Sequence, residues 1–120
     1  MSNNRIYIAG KMRGIKDFNK YAFNNAEEFL RDAGYEPVNP VNLDEKRGLE
    51  LVSDTGDTKD IVGFCDKDMK DIIREDVEAV MSCDAIYLLI SWGTSKGAIA
   101  EKAIAEWLGL RVIYEGMPDE

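Results

Sequence analysis

Ala85-Ile86-Tyr87-Leu88-Leu89-Ile90, running on into Ser91-Trp92-Gly93-Thr94-Ser95-Lys96-Gly97, is the stretch on which the reading of this chain turns. An apolar run with no polar alternation is the pattern of a central parallel strand covered on both faces. The loop after it leads into apolar positions at helical spacing from about Ala98 to Leu108, and Gly109 is placed to stop that helix.

The same strand, loop and helix recur at the other end of the chain. Arg5 to Gly10 reads as a buried strand, Lys11-Met12-Arg13-Gly14 as its loop, and Phe23, Ala26, Leu30 and Ala33 as one face of a helix from about Phe18 that Gly34 ends. Residues 35 to 39, bounded by Pro37 and Pro40, predict a second short strand, and Arg111 to Glu115 a last one. Met69, Ile72, Ile73, Val77, Val80 and Met81 predict a helix to about Ser82, with Asp68 and Asp71 as a capping pair at its start. Residues 41 to 65 carry charge and glycine without a period, which predicts a long loop with room for one helical turn. The order predicts an α/β domain over 1–120, a small doubly wound parallel sheet of Rossmann or flavodoxin-like type with helices on both faces. Ligands in such sheets sit beyond the strand C-termini, at the switch point.

Composition narrows the function classes. At 45% apolar and 32% charged residues the chain has the balance of a soluble globular protein. Its longest apolar run is far short of the roughly 20 residues a bilayer span needs, and no secretory h-region opens the sequence, so a cytoplasmic protein is expected. A net charge of −8 with scattered cations argues against a nucleic acid polymer as partner. A small anion is compatible with that charge, because a few backbone amides and one or two cations suffice to hold it. Cys65 and Cys83 lack metal-ligand spacing and read as reduced thiols, so neither a metal nor a cofactor is expected. With no histidine in the chain, proton transfer falls to Asp, Glu, Tyr, Lys, Cys or water.

Two carboxyls break the structural pattern. Asp76 lies three or four positions from Ile72, Ile73 and Val80, inside the apolar stripe of its helix. A carboxyl buried there either pairs, with Arg74, a lysine or backbone amides, or takes up a proton and serves as a general acid. Glu101 shares a face with Gly97, Ile104, Ala105 and Leu108 and reads as an inward residue in the first turn of the last helix. There the helix N-terminus favours its ionised form, whether as a mere complement to the dipole or as a nucleophile. An acid and an ionised carboxylate with opposed pKa shifts make the arrangement of retaining glycosyl transfer.

The loops Gly10-Lys11-Met12-Arg13-Gly14 and Gly93-Thr94-Ser95-Lys96-Gly97 each follow a strand and precede a helix, so they fall on the same sheet edge. Neither is a Walker loop or a GxGxxG fingerprint, and each alone is equally a plain turn; together they predict a ligand crevice. Tyr7 lies in the first strand, where its buried hydroxyl needs a partner such as Glu101. Trp92 reads either as a stacking platform for a base or as a hydrophobe covering the loop.

Ile6 to Gly14, Asp17-Phe18-Asn19, Ala22-Phe23-Asn24, Arg74-Glu75-Asp76, Cys83 to Leu89 and Trp92 to Glu101, in that order and spacing, resemble the DUF4406 proteins. These are small proteins frequent in phages and prophages, similar to the nucleoside 2-deoxyribosyltransferase superfamily. The resemblance covers nearly the whole chain except 41 to 65. It implies that Glu101 is the nucleophile attacking the anomeric carbon, Asp76 the aspartate near the base, and Tyr7 the tyrosine that orients the nucleophile. By resemblance to the related nucleotide N-glycosidases it further implies that Gly10, Arg13, Ser95 and Gly97 hold the 5′-phosphate, and Lys11, Met12 and Trp92 complete the expected substrate-binding set. Lys11 stands where relatives commonly carry proline and adds a cation for a phosphate.

The function so implied is cleavage of an N-glycosidic bond, or deoxyribosyl transfer, on a nucleoside or nucleoside 5′-monophosphate through a glutamyl-glycosyl intermediate. The alternative is a non-catalytic nucleotide-binding module for sensing or sequestering. A bacterial or phage-infected host cytosol and a homo-oligomer, in which a neighbour helps close the site, go with the resemblance.

Overall fold

The computed structural model describes residues 4–117. Four strands, β1 (Arg5–Ala9), β2 (Glu36–Val38), β3 (Ala85–Leu88) and β4 (Arg111–Tyr114), form one parallel sheet in the order β2-β1-β3-β4. The chain steps from β1 outward to β2 and then returns to β3 on the opposite side of β1, so the switch point lies between β1 and β3. This is the expected doubly wound α/β architecture, and it puts the loops after β1 and β3 side by side.

Alternation along the central strands sends side chains into two cores. Ile6 and Ile8 of β1, with Tyr87 of β3, pack on α1 (Lys20–Asp32) through Phe23, Ala26 and Leu30. Tyr7, Ala9, Ile86 and Leu88 face the other way, against Val80 of α3 (Asp66–Met81) and Ala98 and Ala105 of α4 (Lys96–Trp107). Cover on both sides explains why β3 is apolar at every position. The strand is shorter than the apolar run: Ile90 leaves the sheet in a 3-10 turn over Ile90–Thr94.

The segment predicted as loop contains a helix. Asn39 caps α2 (Pro40–Lys46) by accepting from the Val41 amide at 3.0 Å, and Pro40 sits at the first helical position, where its missing N–H costs nothing. Val41 and Asp44, three apart, both turn inward. Beyond α2 the chain holds a 3-10 turn at Thr58–Asp60 and places Leu51 and Ile61 in the α1-side core.

A strained turn fastens this segment. Asp17, Phe18 and Asn19 all adopt left-handed backbone angles, φ 52, 57 and 62°. The Asp17 amide donates to Ser53 O at 2.6 Å, the Ser53 amide donates back to the Asp17 carboxylate at 2.9 Å, and the Gly14 amide donates to Gly56 O at 3.1 Å. The helix caps also differ from expectation. Asp68 accepts from the Cys65 amide at 2.9 Å as the capping carboxylate of α3, while Asp71 is drawn off to Arg74 at 3.0 Å. Among the described residues no helix is long and apolar enough to cross a membrane.

Candidate active site

A cavity of about 530 Å³ opens at the C-terminal edge of the sheet, between the loop after β1, the start of α4, the inner face of α3 and the segment after β2. Tyr7, Asp76 and Glu101 all line it. Tyr7 is fully buried, and its hydroxyl donates to Glu101 Oε2 at 2.9 Å across 94 residues of chain. The strand-one tyrosine therefore has the carboxylate partner that its burial demanded.

Asp76 reaches the cavity from α3 unpaired. Its Oδ1 is buried without a hydrogen-bond partner among the described residues, and Arg74, one of the partners a structural role would use, bonds Asp71 instead. Burial is the largest cause pushing its carboxyl up to about 8, and the negative charges of Glu101, Asp44 and Glu75 add to it against the opposing Arg47. At neutral pH it holds a proton, which fits the acid role.

Glu101 departs from expectation. α4 starts at Lys96, so Glu101 falls in the second turn rather than the first. The helix dipole fades within a turn, and burial raises the Glu101 carboxyl to about 7 even though the Tyr7 hydroxyl favours its ionised form. The two carboxyls are thus both raised, Asp76 above Glu101.

The first loop contributes Gly10, Lys11, Met12 and Arg13 to the cavity wall, and the second contributes Ser95 and Gly97. Gly10 is required by close approach: a β-carbon there would lie 2.7 Å from Leu89 Cδ1 and 2.8 Å from its Cβ. The Ser95 hydroxyl is already engaged, accepting from the Ala98 amide at 3.1 Å as the N-cap of α4 and donating to Gly10 O at 3.4 Å. It ties the two loops together. Trp92 stands apart from the cavity. The Ile90–Thr94 turn carries its ring towards β4, 6.0 Å from Tyr114, with Lys102 Nζ 5.3 Å from its centroid. That is a covering role and not a platform for a base.

Two residues escaped sequence reasoning. Lys96 lines the cavity beside Gly97 and joins Lys11 and Arg13 as cations on the loop side. Asp44 of α2 is a third carboxyl in the wall, only 6% exposed, raised to about 7 mainly by burial, with Arg47 opposing and Glu75 and Glu45 reinforcing. Its signal was the Asn-Pro helix start, which puts Asp44 one turn after the buried Val41.

The four-stranded doubly wound parallel sheet defines the class, an α/β protein whose fold is similar to that of a known deoxyribosyltransferase. A 2-desoxiribosyltransferase from Leishmania mexicana has a similar structure, with a TM-score of 0.60 and 19% sequence identity over 92% of this chain and 63% of that one. The chain thus spans less than two thirds of that protein. No curated protein matches the sequence. The family model described as domain of unknown function DUF4406 matches residues 4–114, and the chain belongs to that family.

Proposed function

We propose that the protein cleaves the N-glycosidic bond of a nucleoside or nucleoside 5′-monophosphate, with hydrolysis and transfer to a second base as alternative fates of one intermediate. The observation that carries this reading is the convergence of Glu101 and Asp76 on one cavity, with Tyr7 donating to the first and no partner for Oδ1 of the second among the described residues. The Glu101 carboxylate attacks C1′ as the C1′–N bond breaks, and the electron pair passes to the base nitrogen, which takes the Asp76 proton. In the second half a water oxygen attacks C1′ and gives its proton to the Asp76 carboxylate, and the ester bond breaks to return Glu101 as carboxylate. An acceptor base replaces that water in transfer. Tyr7 holds the carboxylate oxygen through its hydrogen bond and keeps its own proton throughout, since burial and the neighbouring carboxyls raise its pKa well above the ordinary phenol value.

Lys11, Arg13 and Lys96, with the amides around Gly97, are the groups available for a 5′-phosphate. On this reading residues 1–120 form one cytoplasmic domain in which the 41–65 segment walls the base end of the cavity. A homo-oligomer is supported by an open apolar stripe on α4, where Ile99 is 46% and Trp107 90% exposed.

The test is incubation with a panel of ribo- and deoxyribonucleosides and their 5′-monophosphates, with and without acceptor bases, reading free base by chromatography. Wild type releases base, and Glu101→Gln lowers the rate by about a thousandfold or more while the fold persists. Release that survives Glu101→Gln unchanged would falsify the nucleophile assignment. Ligands that stabilise the protein and are recovered intact would point to the non-catalytic binding module instead.

A further inference from the structure

The proposed reaction leaves one carboxyl in the cavity without a task. Asp44 lines the cavity, is 6% exposed, and its Oδ1 has no hydrogen-bond partner. Arg47, the cation one turn further along, lies with its Nε 3.4 Å from a Glu75 carboxylate oxygen. A buried carboxyl with an orphan oxygen works against folding, so its place in the wall calls for a partner that the described residues do not supply.

The surroundings of Asp44 decide which part of a ligand that partner belongs to. On its side of the cavity the wall is apolar and carries aromatic rings, with Phe18, Leu49, Leu51, Ile61 and Phe64. The cations Lys11, Arg13 and Lys96 come from the loop side, next to Gly97. A nucleotide with its phosphate at those cations and C1′ at Glu101 lays its flat base in the apolar slot, with Asp76 and Asp44 as the carboxyls of the lining besides Glu101.

We propose that Asp44 is a specificity residue that accepts a hydrogen bond from the exocyclic amino group of the nucleobase, so that the site takes amino-bearing bases ahead of their oxo counterparts. This rests on the N-glycoside reading, since it requires a nucleoside ligand. An ionised carboxyl accepts from the amine, whereas a protonated one pairs equally with an amino–ring-nitrogen edge and an oxo–ring-NH edge, so the preference belongs to the ionised form. An oxo group in the same place sets lone pair against lone pair whenever the carboxyl is ionised. A site built to hydrogen-bond a substrate N–H rejects the analogue lacking it far more strongly than an apolar pocket rejects a methylene.

The experiment measures kcat/KM for base release on matched pairs of 5′-monophosphates, deoxyadenylate against deoxyinosinate and deoxycytidylate against deoxyuridylate. Wild type favours the amino member by about tenfold or more. Asp44→Leu brings each ratio to within about twofold of one by slowing the amino member, while the thermal midpoint rises or holds because an orphan carboxyl has gone. Asp44→Asn, which keeps a carbonyl acceptor and an N–H donor, restores part of the preference. Should Asp44→Leu fail to fold, Asp44→Ala reads the same ratios. Base release without an amino preference in wild type, or with a preference that survives Asp44→Leu and Asp44→Ala, overturns this assignment alone. No release and no binding anywhere in the panel overturns the nucleoside reading, and this inference falls with it.

Discussion

Tyr7→Phe removes a single oxygen from a fully buried ring and leaves Glu101 without its donor. Phenylalanine fills nearly the same space, so the change is electrostatic rather than one of packing. A hydrogen bond to a charged group is worth about 1.5–3 kcal/mol, and its loss falls on the ionised form of Glu101. Converted at 1.36 kcal/mol per pH unit, that moves the titration of Glu101 upward by roughly one to two units. The Glu101 carboxyl already stands at about 7 through burial, and the Tyr7 bond is what holds it down against that burial. At pH 7 the ionised fraction, and with it kcat/KM for base release, falls about five- to fiftyfold. The loss shrinks as pH rises, because the nucleophile is regained by deprotonation. The assay is the full pH–rate profile of both proteins, with thermal unfolding at each pH as a control. A loss of the same factor at every pH, with the acid limb unmoved, would mean that Tyr7 merely positions or packs and that the electrostatic argument is mistaken.

Other expectations follow from the same geometry. Attack needs Glu101 ionised, above about 7, and departure needs Asp76 protonated, below about 8, so the wild-type profile is a narrow bell between those values. Asp76→Asn should lose the alkaline limb and lose least activity on substrates with good leaving groups; an alkaline limb that persists unchanged assigns the acid elsewhere. A carboxyl raised in the folded state binds more protons there than in the unfolded chain, so Asp44 contributes a loss of stability as pH climbs from the unfolded value, about 4, to its folded value, about 7. Asp44→Asn should therefore match wild type in denaturant titrations near pH 4 and exceed it at pH 7.5, and an advantage independent of pH would contradict the burial of that carboxyl. Gly56 has φ +73°, and a β-carbon there would run into the backbone N and O of Ile15. Gly56→Ala should detach the 51–57 segment, costing about 2–4 kcal/mol in chemical denaturation, and a cost below about 1 kcal/mol would show that the turn yields freely.

The parallel sheet and the succession of elements along the chain were legible because local chemistry marks them: β3 by unbroken apolarity, β1 by its terminal glycine, and the helices by a stripe and a stop. Asp76 was legible for the converse reason, as a charge inside a stripe. Position within α4 was harder to read. Counting from Ala98 put Glu101 in the first turn, whereas the Ser95 cap starts the helix at Lys96 and moves Glu101 beyond reach of the dipole. Asp44 stayed hidden because α2 is seven residues long, too short for a period to emerge. The Asn39-Pro40 start marks where the helix begins, but which of its faces turns inward is set by tertiary contacts. Trp92 stayed open between two readings, since the turn that brings its ring to Tyr114 rather than into the cavity lining has no local mark in the sequence.

The bond from Tyr7 to Glu101 joins the first strand of the chain to its last helix. With Glu101 as nucleophile, catalytic competence is therefore a property of the whole tertiary structure, and no fragment that ends before α4 retains half of it. Enzymatic turnover would serve as a gauge of global integrity, vanishing in step with cooperative denaturation instead of fading as individual loops fray.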